Sequence, residues 1–188
     1  MTFIEFYNSI LGKPYTSKEE LPFPVTQKQV TKGEVITQYD QIENQVYFIN
    51  QGIVEMTIKS YVTEKIIDFF FENEMFCALT SFLTGIPSDV QITALTDCQV
   101  EFINRDDLSL AYKDSFDANR FGRILTEQGY IRKSNREKDF LSKTAEERYA
   151  EMLTSHSQYL NLIPVNKVAK YLGIHPESLS RIRKKMIS

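Results

Sequence analysis

Cysteine, histidine and long apolar runs are all scarce in this chain of 188 residues, and each scarcity closes off a class of function. The two cysteines, Cys77 and Cys98, have neither pair spacing nor histidine neighbours. They cannot staple a small secreted scaffold or supply the thiolates of an iron–sulfur cluster. They read as reduced core residues, with a redox-sensing thiol as the alternative. The two histidines, His156 and His175, are far apart and lack companion ligands, so no metal site and no cofactor are expected. A jelly-roll enzyme would need several histidines or an acid/base constellation on its strands, and residues 25–105 contain no histidine at all. No stretch approaches the eighteen or so apolar residues of a membrane span, and the first residues lack the basic, apolar, small-residue order of a secretion signal. The expectation is a cytoplasmic, non-membrane protein that is not an enzyme. Internal repeats and low-complexity segments are missing as well.

What is present concentrates in the last two dozen residues. Val165, Val168, Ala169 and Leu172 follow the i, i+3, i+4, i+7 spacing of one apolar helical stripe. Gly173 stands where a left-handed cap ends a helix, and Pro176 where its missing N–H costs nothing at the start of the next. Leu179, Ile182 and Met186 are expected to face inward; Glu177, Ser178, Ser180, Arg181, Lys184 and Lys185 face out. Small Ala169 lets the two helices cross closely. The pattern predicts a helix-turn-helix, an ordinary helical hairpin being the plainer alternative. Charge favours the first reading. Formal net charge is −3 over the whole chain, but −9 over residues 1–110, +1 over 111–160 and +5 over 161–188. A basic end on an acidic body is the footprint of a DNA-reading module attached to something else.

Three zones precede that end. Phe3, Phe6, Tyr7, Ile10 and Leu11 make a short amphipathic helix, broken by Lys13-Pro14 and followed by extended Leu21-Pro22-Phe23-Pro24. Residues 25–105 switch to a β period, with Val46 and Phe48 alternating with Tyr47 and Ile49, and a buried run at Ile66, Ile67 and Phe69–Phe71. Turn signals recur about every ten residues, which suggests an antiparallel sandwich or roll. Within it, Met75–Leu83 reads as a short helix closed by Thr84-Gly85. From Asp106 to Phe140 the sequence lacks proline and reads as one long helix. Its seam, Phe121, Ile124, Leu125, Gln128 and Ile131, suits a dimer contact, with folding back on the β domain as the alternative. Arg132–Asp139 is charged almost throughout and suits a solvent-bridging segment. Phe140, Leu141, Ala145, Tyr149, Met152 and Leu153 form a further amphipathic helix. The fold class is α+β: an N-terminal antiparallel double-stranded β-roll (1–110), a connecting and dimerisation helix (111–140) and a small all-α helix-turn-helix domain (141–188).

This order of parts resembles the Crp/Fnr family of bacterial transcriptional regulators over nearly the full length. The supporting segments are Lys32–Ile36 and Val46–Glu55 for the opening strand pairs and glycine turn. Ala94–Ile103 looks like the strand pair after the ligand cassette, and Leu172–Ile182 like the DNA-reading motif. The resemblance implies a dimer on a two-fold DNA operator, with an effector in the roll. In nucleotide-binding members a Gly-Glu pair and a later Arg hold the cyclic phosphate and ribose. Here Cys77 and Ala78 replace Gly and Glu, and Ser88 stands at the Arg position beside Asp89. The implied pocket, Phe76, Cys77, Ala78, Leu79, Ser88 and Asp89, has therefore lost its cation and its ribose acceptor. Neither cAMP nor cGMP is expected to bind; an unidentified small-molecule effector, or none, is left. Winged versions of the motif continue into a β-hairpin, whereas only Met186-Ile187-Ser188 follow Lys185.

Double-stranded DNA is the expected partner. Arg181 is the candidate for reading guanine, Glu177 for a cytosine amino group, and His175, Ser178 and Ser180 for bases or phosphate. Lys167, Lys170, Lys184 and Lys185 are the expected phosphate contacts. The competing expectation is a regulatory scaffold whose helical tail docks a protein partner.

Overall fold

Strands dominate the chain up to Asn104, with two short helices among them, and helices make up the rest. The computed structural model describes residues 1–61 and 63–187, the last of these by backbone only. In chain order the elements are α1 (Phe3–Leu11), β1 (Thr26–Val30), β2 (Val35–Thr37), β3 (Gln45–Gln51), β4 (Val54–Lys59), β5 (Glu64–Phe70), β6 (Met75–Phe76), α2 (Leu79–Thr84), β7 (Val90–Ala94) and β8 (Cys98–Asn104). Then follow α3 (Arg105–Asp114), α4 (Phe116–Ser142), α5 (Ala145–Leu160), α6 (Val165–Leu172) and α7 (Pro176–Ile187). The strands form two four-stranded antiparallel sheets, in the orders β1-β8-β3-β6 and β2-β7-β4-β5. This is the double-layered roll of an α+β protein. The tight β3–β4 connection depends on Gly52. Its φ is +104°, and a Cβ there would lie 2.6 Å from both the Asp97 carbonyl oxygen and the Cys98 Sγ, so only glycine fits.

Three apolar clusters follow from the two sheets. Between them lie Val30, Tyr47, Ile49, Val54, Phe70, Phe76, Ile92 and Val100. On the outer face of the first sheet, Phe48 and Ile103 meet α1, α3 and the start of α4 through Phe3, Tyr7, Leu108, Ala118 and Phe121. Cover on both faces explains why Tyr47, Phe48 and Ile49 are all buried, where simple alternation would expose every second residue. On the outer face of the second sheet, Ile66 and Phe69 join Ile53, Phe71 and Leu95 against α5, α6 and α7.

Several expectations need correction. Met75 and Phe76 are not helical: they pair with Phe48 and Tyr47 as β6, and the helix begins only at Leu79. The long helix is two. Ser115 is extended, and its side chain accepts the Ala118 N–H at 3.1 Å, which restarts the chain as α4. Phe140 and Leu141 belong to the end of α4 and stay 55 % and 81 % exposed, while Thr144 opens α5 with a reciprocal cap to Glu147.

Candidate nucleic-acid interface and roll cavity

The α6–α7 hairpin is built as its residue spacing requires. Val168, Ala169 and Leu179 are fully buried where the helices cross. Gly173 takes φ +72°, and its N–H and that of Ile174 reach back to the carbonyls of Lys170 and Ala169, which satisfies the helix end. Arg148 of α5 donates to the Leu172 carbonyl at 2.8 Å and holds the turn from the other side. Pro176 is the first residue of α7.

This scaffold leaves one row open to solvent. Lys170, His175, Glu177, Ser180, Arg181, Lys184 and Lys185 are exposed, and Ser178 is half-buried. Glu177 and Arg181 stand one turn apart, which puts an acceptor and a fork-shaped donor side by side. Lys185 pairs with Glu146 of α5 at 2.8 Å, an exposed contact that is readily exchanged. Arg183 is committed inward, donating to the Tyr149 hydroxyl at 2.9 Å. Met186 does not turn inward as expected but remains 36 % exposed, being in the last turn of the helix. Ser188, the last of the three residues after Lys185, lies outside the described residues.

Lys167 is the main correction on this hairpin. Instead of facing outward, its ammonium pairs with the carboxylate of Glu55 on β4. Glu55 sits on the outer sheet face, directly opposite Phe69 in the β4–β5 register. Phe69 in turn packs on Tyr171, ring centroids 5.2 Å apart. α5 joins the same face, where His156 and Tyr159 stack on Phe71 at 4.3 and 4.8 Å.

A cleft of about 1360 Å³ opens between β5, α2, α4 and the α6–α7 turn. Phe76, Cys77, Ala78, Leu79 and Asp89 line it. Ser88 does not: its hydroxyl is closed on Val90, donating to the carbonyl at 2.8 Å and accepting the N–H at 3.2 Å. Phe76 is stacked on Tyr47, centroids 4.9 Å apart. Burial, and then the nearby Glu43, push the Cys77 thiol well up, which favours the protonated thiol over the nucleophilic thiolate. The Glu43 carboxylate itself is spent on the Thr37 hydroxyl and the Gln45 N–H. Cations in the cleft wall come from α4 (Arg132, Lys133, Arg136), from Lys170 and from Lys65 on β5.

The charged stretch of α4 is not solvated throughout. Arg132 grips Asp68 through two nitrogens at 2.9 and 3.1 Å, reaches Glu74 at 3.1 Å, and donates to the Phe69 carbonyl at 2.7 Å. Burial alone would lower its pKa, but these carboxylates outweigh it and raise it. Arg132 thus caps the free edge of β5, the end strand of its sheet. Arg136 lies 4.1 Å over the Tyr171 ring. No pattern in the sequence marks these two arginines off from their solvated neighbours. The dimer seam also needs revision. Phe121 is 1 % exposed, its ring 4.6 Å from that of Tyr7 inside its own roll cluster, so it cannot face a second copy. Ile124 and Leu125 are half-buried against the same cluster, whereas Gln128 and Ile131 are exposed.

Among the described residues, no group of three or more His, Cys, Asp or Glu could hold a metal ion. Among the same residues, no helix is long and apolar enough to cross a membrane. Residues 27–114 match the family described as the cyclic nucleotide-binding domain. No curated protein matches the sequence. The fold is similar to that of FixK2 from Bradyrhizobium japonicum, with a TM-score of 0.73 at 22% identity over 86% of this chain and 84% of that one. A protein assigned to the crp/fnr family of transcriptional regulators from Eubacterium rectale superimposes with a TM-score of 0.70 at 17% identity over 96% and 82%. A cyclic nucleotide-binding domain-containing protein from Listeria monocytogenes does so with a TM-score of 0.68 at 17% identity over 98% and 90%. Residues 27–114 thus resemble the cyclic nucleotide-binding domain family, and the chain shares its fold with FixK2 and the crp/fnr-family protein: roll, long helix and helical hairpin in that order.

Proposed function

We propose that this protein is a sequence-specific, DNA-binding transcriptional regulator that acts as a homodimer in the cytoplasm and does not answer to cAMP. The observation that carries this reading is the exposed row on α7. Glu177, Ser180, Arg181 and Lys184 project from a helix whose other face is locked into a core. The recognition helix enters the major groove. Arg181 reads a guanine, Glu177 accepts from a cytosine amino group, and Lys170, Lys184 and Lys185 position the duplex through phosphates. Dimer contact falls to the exposed remainder of the α4 seam, Gln128 and Ile131, with Tyr130 and Leu141 beside it. In this reading the roll (1–110) senses, the connecting segment (111–140), most of it α4, joins the two copies, and the head (141–188) reads.

Refusal of cyclic nucleotides rests on the floor of the cleft. At the positions that match the cassette, Cys77 and Ala78 line the cleft without a carboxylate for the ribose, and Ser88, turned onto its own strand beside Asp89, supplies no cation for the phosphate; the cleft's cations stand on its α4, α6 and β5 walls instead. Each missing charge-assisted bond is worth about 1.5–3 kcal/mol. The test is selection of genomic fragments by the purified full chain, then titration of the recovered fragments across a salt series with cAMP present and absent. A salt-dependent, fragment-selective affinity unmoved by cAMP is the expected result. An absence of DNA affinity at any salt would favour a scaffold whose tail docks a protein instead.

A further inference from the structure

We propose that Glu55 and Lys167 are positioning residues that set the angle of the reading head on the roll, so that operator geometry is fixed by the roll's outer sheet. The inference rests on the DNA-reading function proposed above and deepens it. Lys167 and Tyr171 lie one turn apart on α6. They meet Glu55 and Phe69, which are direct cross-strand partners on β4 and β5. One helix face is therefore pinned at two points to one rung of the sheet. Around the rung, Ile66, Phe71, Val168, Leu172 and Leu179 close a single buried cluster, and a large apolar interface removes the domain motion otherwise expected.

The ion pair itself is a poor source of stability. Glu55 is 6 % exposed, and its second carboxylate oxygen is buried without a hydrogen-bond partner. Such an atom costs free energy and calls for a reason. Replacing a buried ion pair by apolar residues is often neutral or better, and its best-attested use is to fix register. Here the register is that of α6 along β4. A purely apolar contact would let the head slide or rotate; a charge that must meet its mate does not. In the docked position Glu177, Ser180, Arg181 and Lys184 all remain exposed, so docking presents the reading face rather than hiding it. In a two-fold dimer the orientation of each head decides which half-site spacing can be read.

The test uses the full chain carrying Glu55→Gln, Lys167→Gln and the charge-swapped pair Glu55→Lys with Lys167→Glu, on the fragment recovered by selection. Each single variant is expected to lose about tenfold in operator affinity with little change on random DNA. Each should also tolerate a one-base-pair insertion between half-sites better than the unaltered protein. The swapped pair should restore both properties. Hydrogen exchange of residues 64–70 and 165–172 provides a readout without DNA: it should quicken together in the single variants and recover in the swap. Operator affinity that is unchanged or higher in Glu55→Gln overturns the positioning role, the higher value marking an inhibitory latch. An unaltered protein that binds no fragment overturns the DNA-reading function itself, which separates the two failures.

Discussion

Two cations of the C-terminal hairpin, Lys167 on α6 and Arg181 on α7, meet opposite surroundings. On α6, Lys167 is spent inside the molecule on a buried carboxylate of the roll. On α7, Arg181 and Lys184 are exposed and belong to none of the apolar clusters. Charge counts treat these groups alike; burial of the partner separates them. In the function proposed above, a basic segment is thus part anchor and part reading surface, and only the fold tells which residue is which.

The contrast between anchor and reading surface breaks most visibly if the hairpin is not part of the roll's cooperative unit. Leu179→Ala removes a fully buried side chain from the shared cluster and should cost about 2–5 kcal/mol. In denaturant, roll and helices should unfold in one transition with a lowered midpoint. A roll that keeps its tyrosine signal while the helices melt would show two independent bodies. The next effect belongs to the outer face. Arg181→Ala should cost about 1–3 kcal/mol on the selected operator and relax choice at one base pair per half-site. Equal reductions on specific and random DNA would make Arg181 a phosphate contact only. Lys185 should behave in that second way, exchanging Glu146 for phosphate. Lys185→Ala should weaken all sequences alike and make the log–log salt slope shallower, by about 0.9 for each phosphate no longer neutralised.

The smallest effect concerns pH and the inner face. Burial against Phe71 lowers the His156 pKa from its ordinary 6.5, with Arg132 adding to this and Glu74 and Asp68 opposing it. A group with a depressed folded pKa binds fewer protons folded than unfolded. Stability should therefore be complete above about pH 6.5 and decline as pH falls below it. Denaturant midpoints between pH 7.5 and 5.5 measure the decline, and His156→Phe, which keeps the stack, should flatten it. An unchanged slope would place the titrating group elsewhere.

Much of the fold and part of the site are legible in the chain. Gly173, Pro176 and the apolar spacing around them announce the hairpin, and turn signals every ten residues announce the roll. The departures share one cause. Phe121 reads as a dimer seam because a helical stripe says which residues are covered, not by what; in the folded protein α1 covers it. Ser88 stands at the right place in the cassette, yet its hydroxyl is satisfied by its own strand. Lys167 with Glu55, and Arg132 with Asp68, are separated by 112 and 64 residues. Each looks like an ordinary solvated charge until sheet register and helix docking bring the partners together. Periodicity reports local covering; long-range polar pairing leaves no period to read.

The sharing of one cluster by the sheet's outer face and the last helices has a consequence for how the protein is made. Ile53, Ile66, Phe69 and Phe71 are synthesised about a hundred residues before Val168, Leu172 and Leu179, which cover them. Synthesis proceeds at roughly 5–20 residues per second, so a nascent roll carries a bare apolar sheet for several seconds before its lid emerges. Contacts of such long sequence separation also form late and slowly. A chain halted before Ala145 would keep that face uncovered permanently, and its fate would be decided by chaperones and aggregation.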